Sequence, residues 1–461
     1  MLFSIRTTKG FLSILFFDTF LAYLSFGTIF FLLPGHMPWL NKDTTLNGNI
    51  IFFIFTMILL ISLAINRLYQ PVNCIYLADL IKKIIPAFFS AFFFFSTLFF
   101  FFPNLIDKNW HILPVLILFF SAIILFRLHV FFNMKENREK ILLLGISEQG
   151  REIIKESVEK RMRGYDIIGF ATAMDSQMES TVHNVPVLGH IKELESIIST
   201  HTIDTVVVTL RSRRGKLPVD QLLNCKFKNI RILEGAQFYE IAKQKILIDD
   251  FFKPSSFIFE EGFYYTSLHE FMKRAQGLSV SIILLILLSP VLFITAILIK
   301  LESPGQIFYL QERVGLHGRI FKLLKFRSMT ETAEKESGPK FAIKGDMRVT
   351  RIGKIIRKIR LDEVPQLINI FMGDMDLVGP RPEREVFVNE LEKIVPYYAL
   401  RHSVRPGLTG WAQVNYPYGE NFEDSEEKLK YDLYYIKHYS WYLDMQIFFM
   451  TVREIIFAKG H

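Results

Sequence analysis

The first third of the chain alternates between long apolar stretches and short polar ones. The apolar stretches are close to the roughly 20 residues that a helix needs to cross the hydrocarbon core of a bilayer. They occupy residues 11–33, 49–66, 84–103 and 112–132. The first is too long for a removable signal peptide and lacks a small-residue cleavage site. The pattern therefore predicts a membrane α-helical bundle of four spans over residues 1–134.

Basic residues mark one side of this predicted bundle. They lie before residue 11, between residues 66 and 84, and after residue 132, whereas each of the other two loops pairs one lysine with one aspartate. Because cytoplasmic loops are enriched in Lys and Arg, both ends of the bundle are predicted to lie in the cytoplasm. Deep within the apolar stretches only Asp18 and Arg127 are charged. So few charges favour an anchor over a transport path.

Residues 135–255 change to short apolar runs that alternate with amphipathic segments. This alternation predicts an α/β Rossmann-like domain with a parallel sheet. Gly145 and Gly150 loosely resemble a phosphate-binding turn, but Ser147 stands where the middle glycine of the dinucleotide motif belongs. We therefore expect a degenerate regulatory or packing domain here. The predicted strands are 140–147, 166–172, 204–210 and 228–235, and the clearest helices are 149–160 and 191–199.

A further apolar run of about 23 residues lies within residues 272–300. Ser289 and Pro290 interrupt its middle, where proline removes a helix hydrogen bond. Both flanks are basic, with Lys273 and Arg274 before the run and several lysines and arginines after it. Positive charge on both sides favours a re-entrant hairpin that enters and leaves the membrane from the cytoplasmic face. A globular domain rich in arginine follows, so the third unit is predicted over residues 268–461.

Composition narrows the classes of function. The 461 residues suit two or three folded units, and the net charge is +8. Nucleic acid is not expected as a partner, because no stacking-aromatic or zinc module accompanies the charge, whereas anionic lipid explains it. Cys74 and Cys225 have no paired spacing, so neither a disulfide framework nor a metal cluster of cysteines is predicted.

The stretch RLDEVPQL, residues 360–367, is the strongest candidate for chemistry. Residues 349–360 before it predict a basic amphipathic helix suited to an anionic membrane surface. Pro365 breaks that helix or starts a new one, which would leave Asp362 and Glu363 at its positive end. Adjacent acids among arginines indicate metal-assisted phosphate chemistry, although an N-cap acid with a surface ion pair is the simpler alternative.

Phosphoryl transfer explains this combination of residue types. Mg²⁺ and forked guanidinium donors neutralise charge on phosphate oxygens. An ionised aspartate can attack phosphorus without a dedicated base. Asp362 and Glu363 could divide the work, one attacking and one holding the metal. The chain has no zinc-protease, P-loop or nucleophile-elbow motif, which removes the common hydrolase and ATPase alternatives.

Six motifs lie in order over residues 272–460, namely LLSPVLF, QERVG, KFRSM, RLDEVPQL, GDMDLVGPRPE and RPGLTGWAQVN. In this order and spacing they resemble the bacterial sugar-transferase family, the polyprenyl-phosphate sugar-1-phosphate transferases with a re-entrant membrane hairpin. The whole layout is similar to the large exopolysaccharide-initiating members, and NYPYGENFED with RSRRGKLPVD resembles their exosortase-associated branch. The resemblance implies a mainly α monotopic phosphoglycosyl transferase domain after the bundle and the Rossmann-like domain.

The resemblance also implies an activity and a set of site residues. The family transfers a sugar-1-phosphate from a UDP-sugar to undecaprenyl phosphate with Mg²⁺, releasing UMP through a phosphosugar–aspartyl enzyme. Asp362 matches the nucleophile and Glu363 its partner acid, both also candidate metal ligands. Lys273, Arg274, Ser289 and Pro290 match the membrane hairpin. Expected phosphate or nucleotide contacts are Lys325, Arg327, Arg381 and Arg405, with Gln311, Arg313, Asp346, Arg348 and Arg360 as lesser candidates.

The chain departs from the family pattern at a few positions. Gly277 replaces an aspartate that usually follows the Lys-Arg pair, so a contact of the hairpin is expected to be lost. Asp376 stands where serine is usual, Met347 replaces a common proline, and Val364 replaces leucine. None of these changes removes the acid pair, so we expect activity.

Two other functions remain open from the sequence. One is a membrane-anchored NAD(P)-dependent nucleotide-sugar dehydratase or epimerase that uses the middle domain. The other is a non-enzymatic scaffold of polysaccharide export. The expected location is a bacterial inner membrane, with the middle and last domains on the cytoplasmic side. The sequence determines neither the sugar nor the pathway, and a homo-oligomer is possible.

Overall fold

The computed structural model describes most of the chain in two compact units, Met1–Gly235 and Ala236–His461. Each unit is described by itself below. The described residues are 8–32, 48–66, 68–69, 77–101, 112–135, 139–160, 165–172, 181–210, 217–248, 262–263, 266–330, 348–416 and 422–456.

All four apolar stretches at the start of the chain form helices. Phenylalanines such as Phe55 and Phe119 are buried between them, whereas Phe93 and Phe100 are exposed on the outside. An apolar exterior of this kind suits lipid rather than water. Among the described residues of these helices, Lys83–Phe100 and Ile112–His129 are long and apolar enough to cross a bilayer. The helices are α1 (Thr8–Leu32), α2 (Gly48–Ile65), α3 (Leu77–Phe101) and α4 (Ile112–Lys135).

The two charges within this bundle neutralise each other. Arg127 Nη2 lies 2.6 Å from Asp18 Oδ2, and both side chains are buried. The pair joins α1 to α4, so each charge is matched across a helix interface, as intramembrane charges usually are. This placement fits the expected anchor.

The α/β alternation after the bundle forms the predicted parallel sheet. Its strand order is β3-β4-β2-β1-β5-β6, with all neighbours parallel except β3 and β4. The strands are β1 (Glu139–Leu144), β2 (Tyr165–Thr172), β3 (Thr181–Val182), β4 (Val185–His190), β5 (Thr205–Val208) and β6 (Arg231–Glu234). The helices beside them are α5 (Glu148–Lys160), α6 (Leu194–His201) and α7 (Val219–Phe227).

The turn after β1 satisfies its polar groups from within the protein. The hydroxyl of Ser147 accepts from the Gly150 amide at 3.2 Å, and Thr209 donates to the Gly145 carbonyl at 2.6 Å. In a dinucleotide site, amides of this turn point at the pyrophosphate. The internal bonds are consistent with the expected degenerate turn.

The second unit begins before the transferase-like motifs. Helix α8 (Gly235–Lys243) is followed by residues 245–248, which are buried. Ile246 and Ile248 belong to the main apolar core of this unit, and the Ile246 amide donates to the Lys430 carbonyl at 3.0 Å. We call residues 236–248 the strap. It lies within the range 135–255 predicted for the Rossmann-like domain, yet it packs in the second unit.

The apolar run predicted as a hairpin forms one long helix. Helix α9 covers the 36 residues Ser267–Glu302 and continues through Ser289 and Pro290. The Ser289 hydroxyl donates to the Ile286 carbonyl at 2.7 Å, which keeps this polar group satisfied inside the helix. The two arms expected of a hairpin are therefore parts of a continuous helix.

The remaining elements surround the acid pair. Antiparallel strands β7 (Phe308–Val314) and β8 (Ile320–Phe326) form a hairpin, and short parallel strands β9 (Asp376–Val378) and β10 (Gly407–Thr409) pair elsewhere. The rest of the unit is mainly helical. Its helices are α10 (Arg351–Lys358), α11 (Gln366–Met372), α12 (Glu385–Ile394), α13 (Trp411–Asn415), α14 (Phe422–Lys437) and α15 (Trp441–Ile456).

Candidate active site

A tight connection between α10 and α11 presents the acid pair. The predicted basic helix is present as Arg351–Lys358, and the Thr350 hydroxyl caps it by accepting from the Gly353 amide at 2.9 Å. Arg360 then adopts φ +60°, and a 3₁₀ turn over Leu361–Glu363 follows. Pro365 immediately precedes α11. The expected chain break at Pro365 is therefore present, with both acids in the turn before it.

Close backbone packing fixes α10 beside the hairpin. A Cβ at Gly353 would lie only 2.1 Å from the Ser328 carbonyl oxygen, just after β8. Only glycine allows this approach. It brings the basic helix against the strand that carries Lys325.

Glu363 is surrounded by three cations. Its Oε1 lies 2.7 Å from Arg381 Nη2 and 3.3 Å from Lys325 Nζ, and its Oε2 lies 3.6 Å from Arg360 Nη1. We call these four residues the Glu363 cluster. Its members come from β8, the turn before α11 and the loop after β9. The fold thus brings together three of the basic residues that the sequence predicted for the site.

Charge pairing dominates the ionisation of Glu363. Burial is the largest single influence and raises the pKa, but Arg381, Lys325 and Arg360 together hold it well below its usual range. Burial lowers the pKa of Lys325, and Glu363 opposes that change. Glu363 is therefore ionised at neutral pH, and its role depends on the three cations around it.

Asp362 differs from its neighbour. The structure gives its carboxylate no hydrogen bond or ion pair among the described residues. Burial, followed by the charge of Glu363, raises the pKa of Asp362 to about 6, against the opposing effect of Lys325, Arg357 and Arg381. At neutral pH this carboxylate is mostly ionised. An ionised, half-buried carboxylate without a direct partner has the chemistry of a nucleophile.

The structure adds a basic residue that the motifs did not single out. Arg357 in α10 influences the Asp362 carboxylate electrostatically. The sequence placed it on the basic face of that helix. Its place in the basic helix, five residues before Asp362, is the sequence feature that could have indicated this proximity.

A buried ion pair supports the loop that carries Arg381. Arg401 donates to the Arg381 carbonyl at 2.9 Å and to Asp432 Oδ2 at 2.9 Å, and the side chains of Arg401 and Asp432 are buried. Burial raises the pKa of Asp432 to about 6, although the nearby charge of Arg401 acts to lower it. Arg401 and Asp432 were not predicted as site residues, because no local sequence pattern links them to residue 381.

Gln311 and Arg313 position the same loop from the hairpin. Arg313 Nη1 donates to the Pro382 carbonyl at 2.9 Å and lies 3.4 Å from Glu383 Oε2. Gln311 Oε1 accepts from Arg313 Nη2 at 2.6 Å. These contacts make both residues supports of the loop rather than parts of the Glu363 cluster.

Arg327 lies apart from the cluster. Its buried guanidinium donates to the carbonyls of Ser303 at 2.7 Å and Pro304 at 2.9 Å, beyond the end of α9. Its Nη1 and Nη2 atoms bind the backbone that follows α9, so Arg327 is not part of the Glu363 cluster, and the phosphate contact expected there stays a prediction. Its motif position alone could not show those backbone contacts.

The other predicted contacts have fewer described neighbours. Arg405 is half-buried and makes no side-chain hydrogen bond or ion pair among the described residues. Arg348 is half-buried, and its carbonyl accepts from the Thr330 amide at 3.0 Å. Asp346 and Met347 lie outside the described residues.

The basic pair at the start of α9 is engaged inside the protein. Arg274 donates to the carbonyls of Ile370 at 2.5 Å and Phe371 at 2.8 Å, which satisfies the end of α11. Lys273 is buried near Asp376 and Asp444. These contacts attach the start of α9 to other elements of the second unit.

Comparisons with known proteins assign this unit to a family. Residues 268–458 match the family model described as bacterial sugar transferase. A Bacillus subtilis protein named uncharacterized sugar transferase EpsL is 37% identical over 189 residues, which cover 41% of this chain and 89% of that protein. The chain belongs to the bacterial sugar transferase family.

Longer sugar transferases share the same segment. A protein of Aeromonas hydrophila, named UDP-N-acetylgalactosamine-undecaprenyl-phosphate N-acetylgalactosaminephosphotransferase, is 48% identical over 42% of this chain and 45% of its own length. The UDP-glucose:undecaprenyl-phosphate glucose-1-phosphate transferase of Escherichia coli is 39% identical over 41% of this chain and 40% of its own length. The match spans less than half of these two relatives.

The family match contains every predicted site residue and excludes the strap. It begins at residue 268, whereas the second unit begins at Ala236. Among the described residues, no group of three acidic, histidine or cysteine side chains forms a metal site.

Proposed function

We propose that this protein transfers a sugar-1-phosphate from a UDP-sugar to undecaprenyl phosphate, releasing UMP and starting the assembly of an exopolysaccharide or another lipid-linked glycan. The names of two relatives, those of Aeromonas hydrophila and Escherichia coli, describe transfers of this kind to undecaprenyl phosphate. The observation that carries the proposal is the contrast between Asp362, which has no direct partner among the described residues, and Glu363, which is held by three cations.

The proposed reaction has two steps. The Asp362 carboxylate attacks the phosphorus that bears the sugar, the bond to the bridging oxygen breaks, and UMP leaves with the electron pair. The phosphate of undecaprenyl phosphate then attacks the same phosphorus and releases the Asp362 carboxylate. The product is a sugar joined to the lipid through a diphosphate, and the enzyme returns to its starting state.

The residues of the Glu363 cluster act through their charge. Lys325 and Arg381 face Glu363, and they are placed to attract the diphosphate of a UDP-sugar to the same region. Glu363 fixes their positions and reduces the net positive charge of the cluster. Forked donors held in advance stabilise developing charge without reorganisation during the reaction.

A magnesium ion fits this site together with substrate. Mg²⁺ is commonly held by one or two carboxylates and by substrate phosphates. Asp362 offers a carboxylate that no described residue pairs directly, whereas the oxygens of Glu363 face cations, which makes Glu363 the weaker ligand. When bound, the ion would neutralise charge on the phosphoryl oxygens.

The membrane helix supports a monotopic arrangement. Arg274 near the start of α9 contacts α11, while Glu302 at its end accepts from the Arg351 amide at 2.6 Å. Residues between these ends, including Ile286 and Phe293, are highly exposed and apolar. Pro290 lies within α9 and lacks the amide hydrogen that a regular helix would use there, which permits a bend between the two ends. Two ends attached to one unit are expected of a re-entrant element, so we propose that α9 enters and leaves from one face.

The face in question is proposed to be the cytoplasmic one of a bacterial inner membrane. The charge distribution around the first four helices favours cytoplasmic ends for that bundle. In α10 and at its C-terminal end, exposed Ile355 and Ile359 lie beside exposed Lys354 and Lys358, which suits an anionic lipid surface. A homo-oligomer stays a prediction.

Membranes containing the protein provide the test. UMP release should depend on one or a few members of a UDP-sugar panel and should stop when a chelator removes divalent ions. Asp362→Asn should abolish the release, whereas Asp220→Asn, at an exposed position in α7, should retain it. Release by Asp362→Asn at the normal rate would contradict the proposal. NAD(P)-dependent conversion of the UDP-sugar that survives Asp362→Asn would instead favour a dehydratase or epimerase.

A further inference from the structure

A buried lysine lies where the membrane helix meets the core of the second unit. Lys273 Nζ lies 3.5 Å from Asp444 Oδ2 and 3.7 Å from Asp376 Oδ2, and it donates to the Tyr435 hydroxyl at 2.5 Å. The ring centre of Tyr439 is 4.3 Å away. We call these five residues the Lys273 cluster. Its charged members come from α9, β9 and α15, so it joins three elements at one point.

Because Lys273 is buried, its positive charge needs the carboxylates of this cluster as partners. The side chains of Lys273 and Asp376 are each only 6% exposed. A buried ammonium without a carboxylate partner is strongly destabilising. Asp444 also serves Tyr435, which donates to Asp444 Oδ1 at 2.7 Å. Asp444 is thus shared between Lys273 and Tyr435, and Asp376 supplies a second negative charge for Lys273.

A carboxylate at position 277 could also neutralise Lys273, in place of Asp376. Gly277 lies four residues after Lys273, so both positions share one face of α9. A Cβ at Gly277 would meet only Ile370 Cγ2, at an ordinary 3.4 Å. An acid there would reach Lys273 from within the same helix. Asp376 reaches it from a strand, and thereby ties the helix to that strand.

That strand leads directly to the proposed active site. β9 ends at Val378, and three residues later Arg381 contacts Glu363 at 2.7 Å. A Cβ at Gly407 on the paired strand would lie 2.0 Å from the Gly379 amide nitrogen, so the chain after β9 has little freedom to move. A displacement of Asp376 is therefore expected to reach Arg381.

We propose that Asp376 is a positioning residue: it neutralises Lys273, as a carboxylate at position 277 would, and it links the packing of α9 to the position of Arg381. The contact expected to be lost at Gly277 is thus supplied from another element. The activity part of this inference rests on the proposed function, whereas its stability part does not.

Exchange of the carboxylate between the two positions tests the proposal. The variants Asp376→Ser, Gly277→Asp, the double variant Gly277→Asp/Asp376→Ser and the control double variant Gly277→Asn/Asp376→Ser are made in the full chain and placed in lipid nanodiscs. UMP release and the midpoint of thermal unfolding are measured for each. Asparagine matches aspartate in size without its charge, so the two double variants separate charge from packing.

The expected pattern is a specific rescue. Asp376→Ser should reduce kcat/KM for undecaprenyl phosphate about tenfold and lower the thermal midpoint, as loss of one partner from a buried charge cluster does. Gly277→Asp should restore both values in the double variant to within about threefold of wild type, by supplying the charge again. Gly277→Asn should restore neither.

Two results would overturn the inference. One is wild-type behaviour of Asp376→Ser, and the other is equal rescue by Asp and Asn at position 277. If Asp376→Ser yields no folded protein, recovery of folded yield by Gly277→Asp but not by Gly277→Asn supports the inference, and any other pattern of yields contradicts it. If the wild-type protein releases no UMP from any UDP-sugar, the proposed function fails, and the thermal midpoints alone decide the role of Asp376.

Discussion

Arg401 donates a hydrogen bond of 2.9 Å to the backbone carbonyl of Arg381. The same guanidinium is paired with buried Asp432 at 2.9 Å. The buried ion pair of Arg401 and Asp432 therefore anchors the loop that carries Arg381, the residue that contacts Glu363. A support of this kind fixes the geometry of a site without touching the substrate.

Replacing Arg401 by Lys should loosen this loop. Lysine keeps the charge, but its single ammonium replaces a guanidinium whose Nη2 donates to Asp432 and the Arg381 carbonyl while Nη1 donates to Tyr398, so the planar arrangement of the three contacts is lost. We expect the free energy of unfolding to fall by about 3 kcal/mol, since a buried pair loses much of its geometry. Thermal unfolding and UMP release measure the two effects. Unchanged values for both would show that the carbonyl contact is unimportant.

Replacing Glu363 by Gln should reduce the rate more than the stability. The change leaves Lys325, Arg360 and Arg381 without their shared anion, so their positions relative to a diphosphate change. We expect kcat for UMP release to fall by about 100-fold, comparable to the loss of one preorganised electrostatic contact. Glu390→Gln, at an exposed position in α12, is the matched control and should behave as wild type. Equal rates for the two variants would remove Glu363 from the site.

Replacing Arg327 by Gln should affect stability and leave substrate affinity unchanged. The buried guanidinium binds the carbonyls that follow α9, so its loss leaves several buried acceptors without donors. A penalty of about 3 kcal/mol is expected. The KM for the UDP-sugar, measured on folded protein, should stay within about twofold of wild type. Arg319→Gln, at an exposed arginine, should change neither value. A large rise in KM with normal stability would return Arg327 to the substrate site.

Replacing Trp411 by Phe should test whether the strap is part of the second unit. The indole Nε1 donates to the Gln244 carbonyl at 2.9 Å, and Lys245 Nζ lies 2.6 Å from Glu427 Oε1 nearby. Loss of the indole donor leaves a carbonyl without its partner and opens space, at about 2 kcal/mol. Trp441→Phe, at a half-exposed tryptophan, should cost much less. Equal thermal midpoints for the two variants would mean that the strap contributes little.

Local patterns in the sequence predicted the elements of this protein well. The four apolar stretches are helices, the alternating region is a parallel sheet, and the basic segment before Asp362 is a helix. Periodicity and apolar length are local properties, and tertiary packing did not override them here. The acid pair could also be placed before α11, because Pro365 restricts the backbone next to it.

Partners distant in sequence were not predictable in the same way. A motif shows that Arg327 and Arg381 are present, but not that one binds backbone carbonyls and the other binds Glu363. Arg401, Asp432 and Asp376 depend on where strands and helices meet, and neither spacing nor charge encodes those meetings. The strap lies inside the range predicted for the Rossmann-like domain, and its contacts with the second unit involve residues distant in sequence, such as Trp411 and Lys430.

The central claim is that Asp362 carries the sugar phosphate during transfer. Purified protein in nanodiscs is incubated with a UDP-sugar labelled in the β-phosphate, without undecaprenyl phosphate, and the label bound to denatured protein is counted. We predict label on the wild-type protein and on Asp220→Asn, none on Asp362→Asn, and its release when undecaprenyl phosphate is added. UMP formation without label on the protein, or label that persists on Asp362→Asn, would contradict the account.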